Sequence, residues 1–246
     1  MHLDLFLAVT EDFKLDVTDQ SVVVIDVLRT GSSIVQAMAN GAHEIYPRVS
    51  TEEAIKLASS LGREDSMLCG TSGYAMTEGF DLGNSPAEFV PEKVDGKRLV
   101  MSTTNGMRVF DLVDDSPSVL VCSFMNIRAV AKAVSEKNSL AVVCVGAEGD
   151  VSLEDTVCAG MFIECVHQQN GADIELNDAG RLAKSVRGHF KVDKEFLAGT
   201  ERGTKLREGG FEMDLDLCSQ VDIYSVVPEM KESVVRLIQK DTNGPH

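Results

Sequence analysis

The run Val22-Val-Val-Ile-Asp-Val-Leu-Arg-Thr-Gly-Ser-Ser33 constrains this chain more than any other stretch. Its β-branched opening shows no polar alternation, the pattern of a strand buried on both faces, as in a parallel sheet. The run then meets Asp26 and Arg29, charges that are costly at a buried strand end unless they are paired or bind something. Thr30, Gly31, Ser32 and Ser33 follow, and Ile34, Val35, Ala37 and Met38, closed by Gly41, predict a helix whose N-terminus carries those hydroxyls. Strand, polar turn and helix start form a ready anion site, because free backbone N–H groups and the helix dipole point at it.

The same grammar repeats along the chain. Leu3 to Val9 reads as a first strand, Glu11 to Gln20 as a polar connection and Ala42 to Pro47 as a short strand. Ser50-x-x-Glu53 is a capping box before the stripe Ala54, Leu57, Ala58, Leu61, which Gly62 stops. Gly62 to Pro91 reads as a long irregular segment rich in glycine, and segments of that length are usually functional or disordered. Strands are expected again at Leu99–Ser102, Val119–Cys122 and Leu140–Val145, and a helix from Ser152 until Gly171. From Asn177 the pattern is mostly helical, Asp214 to Cys218 is a short apolar-acidic segment, Ile223 to Pro228 reads as a closing strand, and 240–246 is a polar tail. The fold class is therefore α/β, a mostly parallel or mixed sheet covered by helices on both faces. The chain reads as a single α/β unit over 1–246, or as two similar lobes dividing near 95–120. In such sheets ligands collect outside the carboxyl ends of the strands, so Asp26, Arg29, Asn105, Arg108 and Asp155, all at successive strand ends, are expected in one cleft. Each polar cluster taken singly is also explained as a helix cap.

The chain has 246 residues and a formal charge of −16. That charge argues against nucleic acid or an anionic membrane as partner. No apolar run reaches the roughly 18 residues of a membrane span and the N-terminus has no leader pattern, so a cytoplasmic protein is expected. The six cysteines, at 69, 122, 144, 158, 165 and 218, contain no C-x-x-C and read as buried reduced thiols.

Several phosphate chemistries fail on inspection. Asp26-Val-Leu-Arg29 lacks the second aspartate of an aspartyl-phosphate nucleophile site, and neither G-x-x-x-x-G-K-[ST] nor G-x-G-x-x-G occurs. Gly70-Thr-Ser-Gly73 has Tyr74 where a nucleophile elbow needs glycine, and H-E-x-x-H is absent. Carboxylates, hydroxyls, amides and arginines remain. Hard oxygen ligands suit Mg²⁺, and arginine suits phosphate and carboxylate groups.

The motifs Asp26-Val-Leu-Arg29 with Ser32-Ser33, Gly79-Phe-Asp-Leu-Gly-Asn-Ser-Pro86, Thr103-Thr-Asn-Gly106 and Glu154-Asp155 with Ala159-Gly160 together resemble the 2-phosphosulfolactate phosphatase family. Gly203-x-x-Leu206, Gly210-Phe and Asp214-Leu-x-x-Cys218 extend that resemblance over nearly the whole chain. Thr30-Gly31 and Met107 depart from the expected pattern. The resemblance implies an α/β hydrolase that uses Mg²⁺ to remove phosphate from (R)-2-phospho-3-sulfolactate, giving 3-sulfolactate on the route to coenzyme M. It implies Mg²⁺ on Asp26, Asp81 and Asp155, with Glu154 a further ligand. Asp26, Arg29, Asn105 and Arg108 would be catalytic, the two arginines holding anionic groups. Ser32, Ser33, Asn84, Ser85, Thr103, Thr104 and Gly106 would bind substrate or metal-bound water. Whether Asp26 is a nucleophile or a ligand stays open. The expected partner is a small anionic phosphorylated substrate, with no nucleic acid and no membrane, and a homo-oligomer is allowed. Two alternatives stand beside this reading: a phosphatase of another acidic phosphorylated hydroxy acid, and a non-catalytic binder of anionic metabolites.

Overall fold

The computed structural model describes residues 1–10, 12–103, 106–171 and 173–238. Thr104, Asn105 and the 240–246 tail lie outside the described residues. In chain order, β1 (His2–Phe6) and β2 (Ser21–Ile25) lead to α1 (Thr30–Ala39), β3 (Glu44–Pro47) and α2 (Thr51–Leu61). Then come β4 (Ser66–Ser72), β5 (Ala75–Met76), α3 (Pro91–Val94), β6 (Arg98–Thr103), α4 (Gly106–Leu112) and β7 (Val119–Cys122). They are followed by α5 (Ile127–Ala133), β8 (Ser139–Cys144), α6 (Leu153–Asn170), β9 (Glu175–Leu176) and α7 (Asp178–Arg187). Three consecutive helices, α8 (Lys194–Gly199), α9 (Glu201–Glu208) and α10 (Glu212–Cys218), precede the hairpin β10 (Pro228–Lys231) and β11 (Val234–Leu237).

All strands join one mixed sheet in the order β5-β4-β6-β3-β11-β10-β7-β2-β8-β1-β9. It contains two parallel segments, β4-β6-β3 and β7-β2-β8-β1-β9, bridged by the antiparallel hairpin. β2 is buried along its whole length, as its uninterrupted apolar sequence requires. Val23 and Ile25 join the core under α5 and α6, while Val22 and Val24 join the core under α1 and α4, so helices cover both faces. The hairpin reverses direction between the two segments, so a flat sheet would put the carboxyl ends of β6 and β2 on opposite edges. Yet the hydroxyls of Thr103, ending β6, and Thr30, just past β2, are 3.3 Å apart. The sheet therefore curls around the α1/α4 core, and this curl assembles the cleft.

Local signals behave as their chemistry dictates. The Glu53 N–H donates to Ser50 Oγ and the Asp155 N–H to Ser152 Oγ, and Gly171 ends α6 in the left-handed region. All six cysteines are buried and unpaired, and burial pushes the Cys144 and Cys158 thiols well up. No described helix is long and apolar enough to cross a membrane.

Two expectations are corrected. The Gly62–Pro91 segment is not irregular throughout, because β4 runs through it as a parallel neighbour of β6. Ser-Met-Leu-Cys-Gly-Thr-Ser has weak strand character, and its pairing with β6 and Leu82 supplies what propensity does not. The closing strand begins at Pro228 and not at Ile223. Before it, the Asp222 and Tyr224 N–H groups donate to the carbonyls of Phe124 and Met125, which hold that stretch outside the ladder. Asp214–Cys218 is helical, within α10.

Candidate active site

The end of β2 is where buried charge collects. Asp155, in the first turn of α6, accepts the Val27 N–H at 2.8 Å and the Gly146 N–H at 3.2 Å, so it ties together the ends of β2, β8 and α6. Asp26, Glu154 and Asp155 are 7%, 2% and 3% exposed. Burial pushes the Asp155 carboxyl well above the ordinary carboxylate range, and the neighbouring Asp26 and Glu154 push it further. Burial raises Asp26 too, against the pull of Arg202 and of hydrogen bonds from the Thr30 side chain and N–H, with Glu154 adding to the rise. Arg202, from α9, is anchored by donating through Nη1 to the Gly146 carbonyl at 3.1 Å.

Two compartments meet at this cluster and share Tyr74, Glu148 and Arg202. The first is walled by Arg29, Thr30, Thr71, Asn84, Thr103 and Gly106. Asn84 Nδ2 donates to Thr30 Oγ1 at 3.1 Å, so hydroxyls and an amide form one connected polar wall. Gly106 fits because a Cβ there would strike the Thr30 side chain; only glycine lets α4 approach α1 this closely. The second compartment lies between the starts of α6 and α9. Asp150, Glu154, Glu201, Arg202 and Lys205 line it, and Lys205 pairs with Glu201 at 2.7 Å.

Some residues expected to bind substrate are engaged elsewhere. Arg29 donates through Nη1 to Asp214 Oδ2 at 2.9 Å and through Nη2 to the Tyr74 carbonyl at 3.3 Å, and it lies 4.5 Å from the Phe211 ring centroid. Ser85 Oγ donates to the other oxygen of Asp214 at 2.5 Å, so Arg29 and Ser85 belong to a buried lock around α10. Ser32 donates to the Val27 carbonyl and Ser33 to the Asn84 carbonyl, both at 2.8 Å, which turns their hydroxyls into the fold. Asp81 is not brought to Asp26 and Asp155. It accepts the Leu68 N–H at 2.7 Å and pairs with Arg63 at 2.8 Å. Leu68 lies three residues, about 10 Å of extended chain, from Thr71, the β4 residue that reaches the cleft. Arg108 is half-buried on α4 and does not figure among the described residues lining either compartment. Thr30, Asn84, Thr103 and Gly106 converge, and so do Asp26, Glu154 and Asp155.

Among the described residues, no set of three or more His, Cys, Asp or Glu side chains forms a ready metal cage. Mg²⁺ does not require one: it usually takes one or two carboxylates and completes its shell with water and substrate oxygens. Asp26, Glu154 and Asp155 bring three buried carboxyl groups together, with Arg202 acting on Asp26 and Asp155, and oxygen donors of this kind fit a hard divalent cation.

Sequence reasoning missed Arg202, Glu148 and Tyr74 at the junction and Asp214 as the partner of Arg29. Of these, Arg202 and Asp214 had a usable signal, since both stand in or beside the Gly203-x-x-Leu206 and Asp214-Leu-x-x-Cys218 motifs.

The chain matches the family model described as 2-phosphosulpholactate phosphatase over residues 7–233. It is 32% identical over 237 residues to a probable 2-phosphosulfolactate phosphatase of Clostridium tetani, covering 96% of this chain and 100% of that protein. A protein of the same description from Caldanaerobacter subterraneus subsp. tengcongensis is 35% identical, with 91% and 93% covered, and one from Clostridium perfringens is 36% identical, with 88% of each covered. A match of this length, in a chain whose strand-end motifs meet in one cleft, shows that the chain belongs to the 2-phosphosulfolactate phosphatase family.

Proposed function

We propose that this chain is a phosphoric monoester hydrolase that converts (R)-2-phospho-3-sulfolactate to 3-sulfolactate and phosphate, with Mg²⁺ at Asp26 and Glu154. The reading carries with it a coenzyme M type of route for the product. The observation that supports it most is the burial of Asp26, Glu154 and Asp155 against one guanidinium, Arg202, where an acidic and a hydroxyl-rich compartment meet. A phosphate monoester carries about −1.5 to −2 charge near neutral pH, and its hydrolysis needs that charge answered and the attacking oxygen aligned.

Arg202 answers part of this charge from the junction, its guanidinium braced by the Gly146 carbonyl. Thr30 holds the Asp26 carboxylate in place through its hydroxyl and N–H. Asp155, bonded to two backbone N–H groups, fixes the distance between the strand end that carries Asp26 and the helix start that carries Glu154. When bound, Mg²⁺ would supply neutralisation of phosphoryl oxygens and a more acidic water. The net reaction adds water across the ester: the phosphorus–oxygen bond breaks, the water oxygen stays on phosphorus, and the C2 oxygen leaves with a proton as the hydroxyl.

Phosphate release tests the proposal, measured on 2-phospho-3-sulfolactate and on a panel of phosphorylated hydroxy acids, each with Mg²⁺ and with a chelator. Mg²⁺-dependent release with the sulfonated ester preferred is expected. Preference for another ester moves the substrate assignment, and binding without release from any ester contradicts the hydrolase reading.

A further inference from the structure

The two compartments differ in the kind of anion each can hold. Away from the shared Arg202, the first presents uncharged polar groups, namely the Thr30 and Thr103 hydroxyls and the Asn84 amide. Its buried cation, Arg29, is already answered by Asp214. Within this compartment the only carboxylate among the described lining residues is Glu148, at the rim shared with the second. The second compartment is lined by the buried Glu154, whose charge acts on Asp26 and Asp155.

A substrate with a phosphoryl ester and a sulfonate brings two unlike groups. The phosphoryl group is the more basic of the two and approaches two negative charges, and it needs cations. A sulfonate is the base of a strong acid. It spreads one charge over three oxygens, is a poor metal ligand, and accepts hydrogen bonds from neutral donors. Asn84 points the same way. It is 6% exposed, its Nδ2 donates to Thr30, and among the described residues its Oδ1 has no partner. Turning the amide over sets Oδ1 against the Thr30 hydroxyl, which then donates to it instead of to Asp26 while the Thr30 N–H keeps its hydrogen bond to Asp26, and gives Nδ2 to an incoming oxygen. Both ends are then satisfied by a group that only accepts hydrogen bonds.

We propose that the compartment built from Thr30, Asn84 and Thr103 around the Asp214-neutralised Arg29 takes the sulfonate of the substrate and so sets substrate choice, while the phosphoryl group lies on the acidic side of Arg202. This rests on the hydrolase reading above for the presence of both groups, but its test does not need turnover. Calorimetric binding of 3-sulfopropanoate and of succinate, its dicarboxylate counterpart, is measured on the full chain in chelator. The wild-type chain is expected to bind the sulfonate at least about tenfold more tightly than succinate, the effect of roughly one well-made hydrogen bond. Asn84→Asp keeps the shape but adds a charge, and it should remove that preference. Thr103→Val deletes one donor and should weaken sulfonate binding several-fold with little change for succinate; it carries the test if Asn84→Asp does not fold. Equal affinities in the wild-type chain, no measurable sulfonate binding, or variants that weaken both probes alike would overturn the proposal. Absence of phosphate release with the sulfonate preference intact would instead remove the hydrolase reading and leave the binding assignment standing.

Discussion

The two sides of Arg202 are built from opposite materials. On one side, Asp26, Glu154 and Asp155 are buried together, and burial with the neighbouring carboxyl groups raises Asp26 and Asp155; on the other, Arg29 and Asp214 are buried together and cancel. A buried charge that is paired and hydrogen-bonded holds a fold in one arrangement, whereas unanswered buried charge is a cost that persists where a ligand relieves it. The contrast separates the residues proposed to do chemistry from residues that tie the fold together beside them. Arg29 and Ser85, which stand in the motifs that carry the family resemblance, both bond to Asp214 on the second side.

The comparison breaks first on activity. Asp26→Asn and Glu154→Gln should each lower kcat on the order of a thousandfold while the chain stays folded, as steady-state phosphate release and circular dichroism would show. Near-normal turnover in either variant would sink the acidic side. On the neutral side the effect should fall on stability. Asp214→Ala leaves Arg29 buried without its carboxylate and should cost about 3–5 kcal/mol in urea unfolding, and a loss below about 1 kcal/mol would mean that the lock is ornamental.

Smaller effects sharpen the contrast. Gly106→Ala forces a methyl group against Thr30 and should destabilise by about 1–3 kcal/mol. An unchanged melting temperature would show that α4 and α1 are free to separate. The smallest effect is in pH. The folded-state pKa of Asp26 is raised above the roughly 3.9 of an unfolded aspartate, so its protonated form contributes fully below about pH 4 and that contribution is lost as pH rises through the folded value. The neutral amide of the Asp26→Asn variant has no proton to lose over this range. In metal-free buffer the melting temperature of this variant, relative to wild type, should therefore climb between about pH 4 and 8. A pH-independent difference would contradict the raised value.

What could be read from the sequence was local. The apolar run of β2, the Ser50 and Ser152 caps and the stop at Gly171 are written in adjacent residues, and the structure repeats them. β4 was not legible because its ladder comes from β6 and Leu82, not from its own residues. The site was half legible for a related reason. A polar cluster after a strand marks the cleft, but periodicity does not say which hydroxyls turn inward, and Ser32 and Ser33 both do. Nor does it join Arg29 to a carboxylate 185 residues away, or Asp26 to a guanidinium on α9.

The placement of the cation tests the central claim most directly. Crystals of the full chain soaked with Mn²⁺ in place of Mg²⁺ would reveal the ion by its anomalous scattering. One peak coordinated by Asp26 and Glu154, next to Arg202, is expected; a peak at Asp81, or none within reach of Asp26, would contradict the division of the cleft described above.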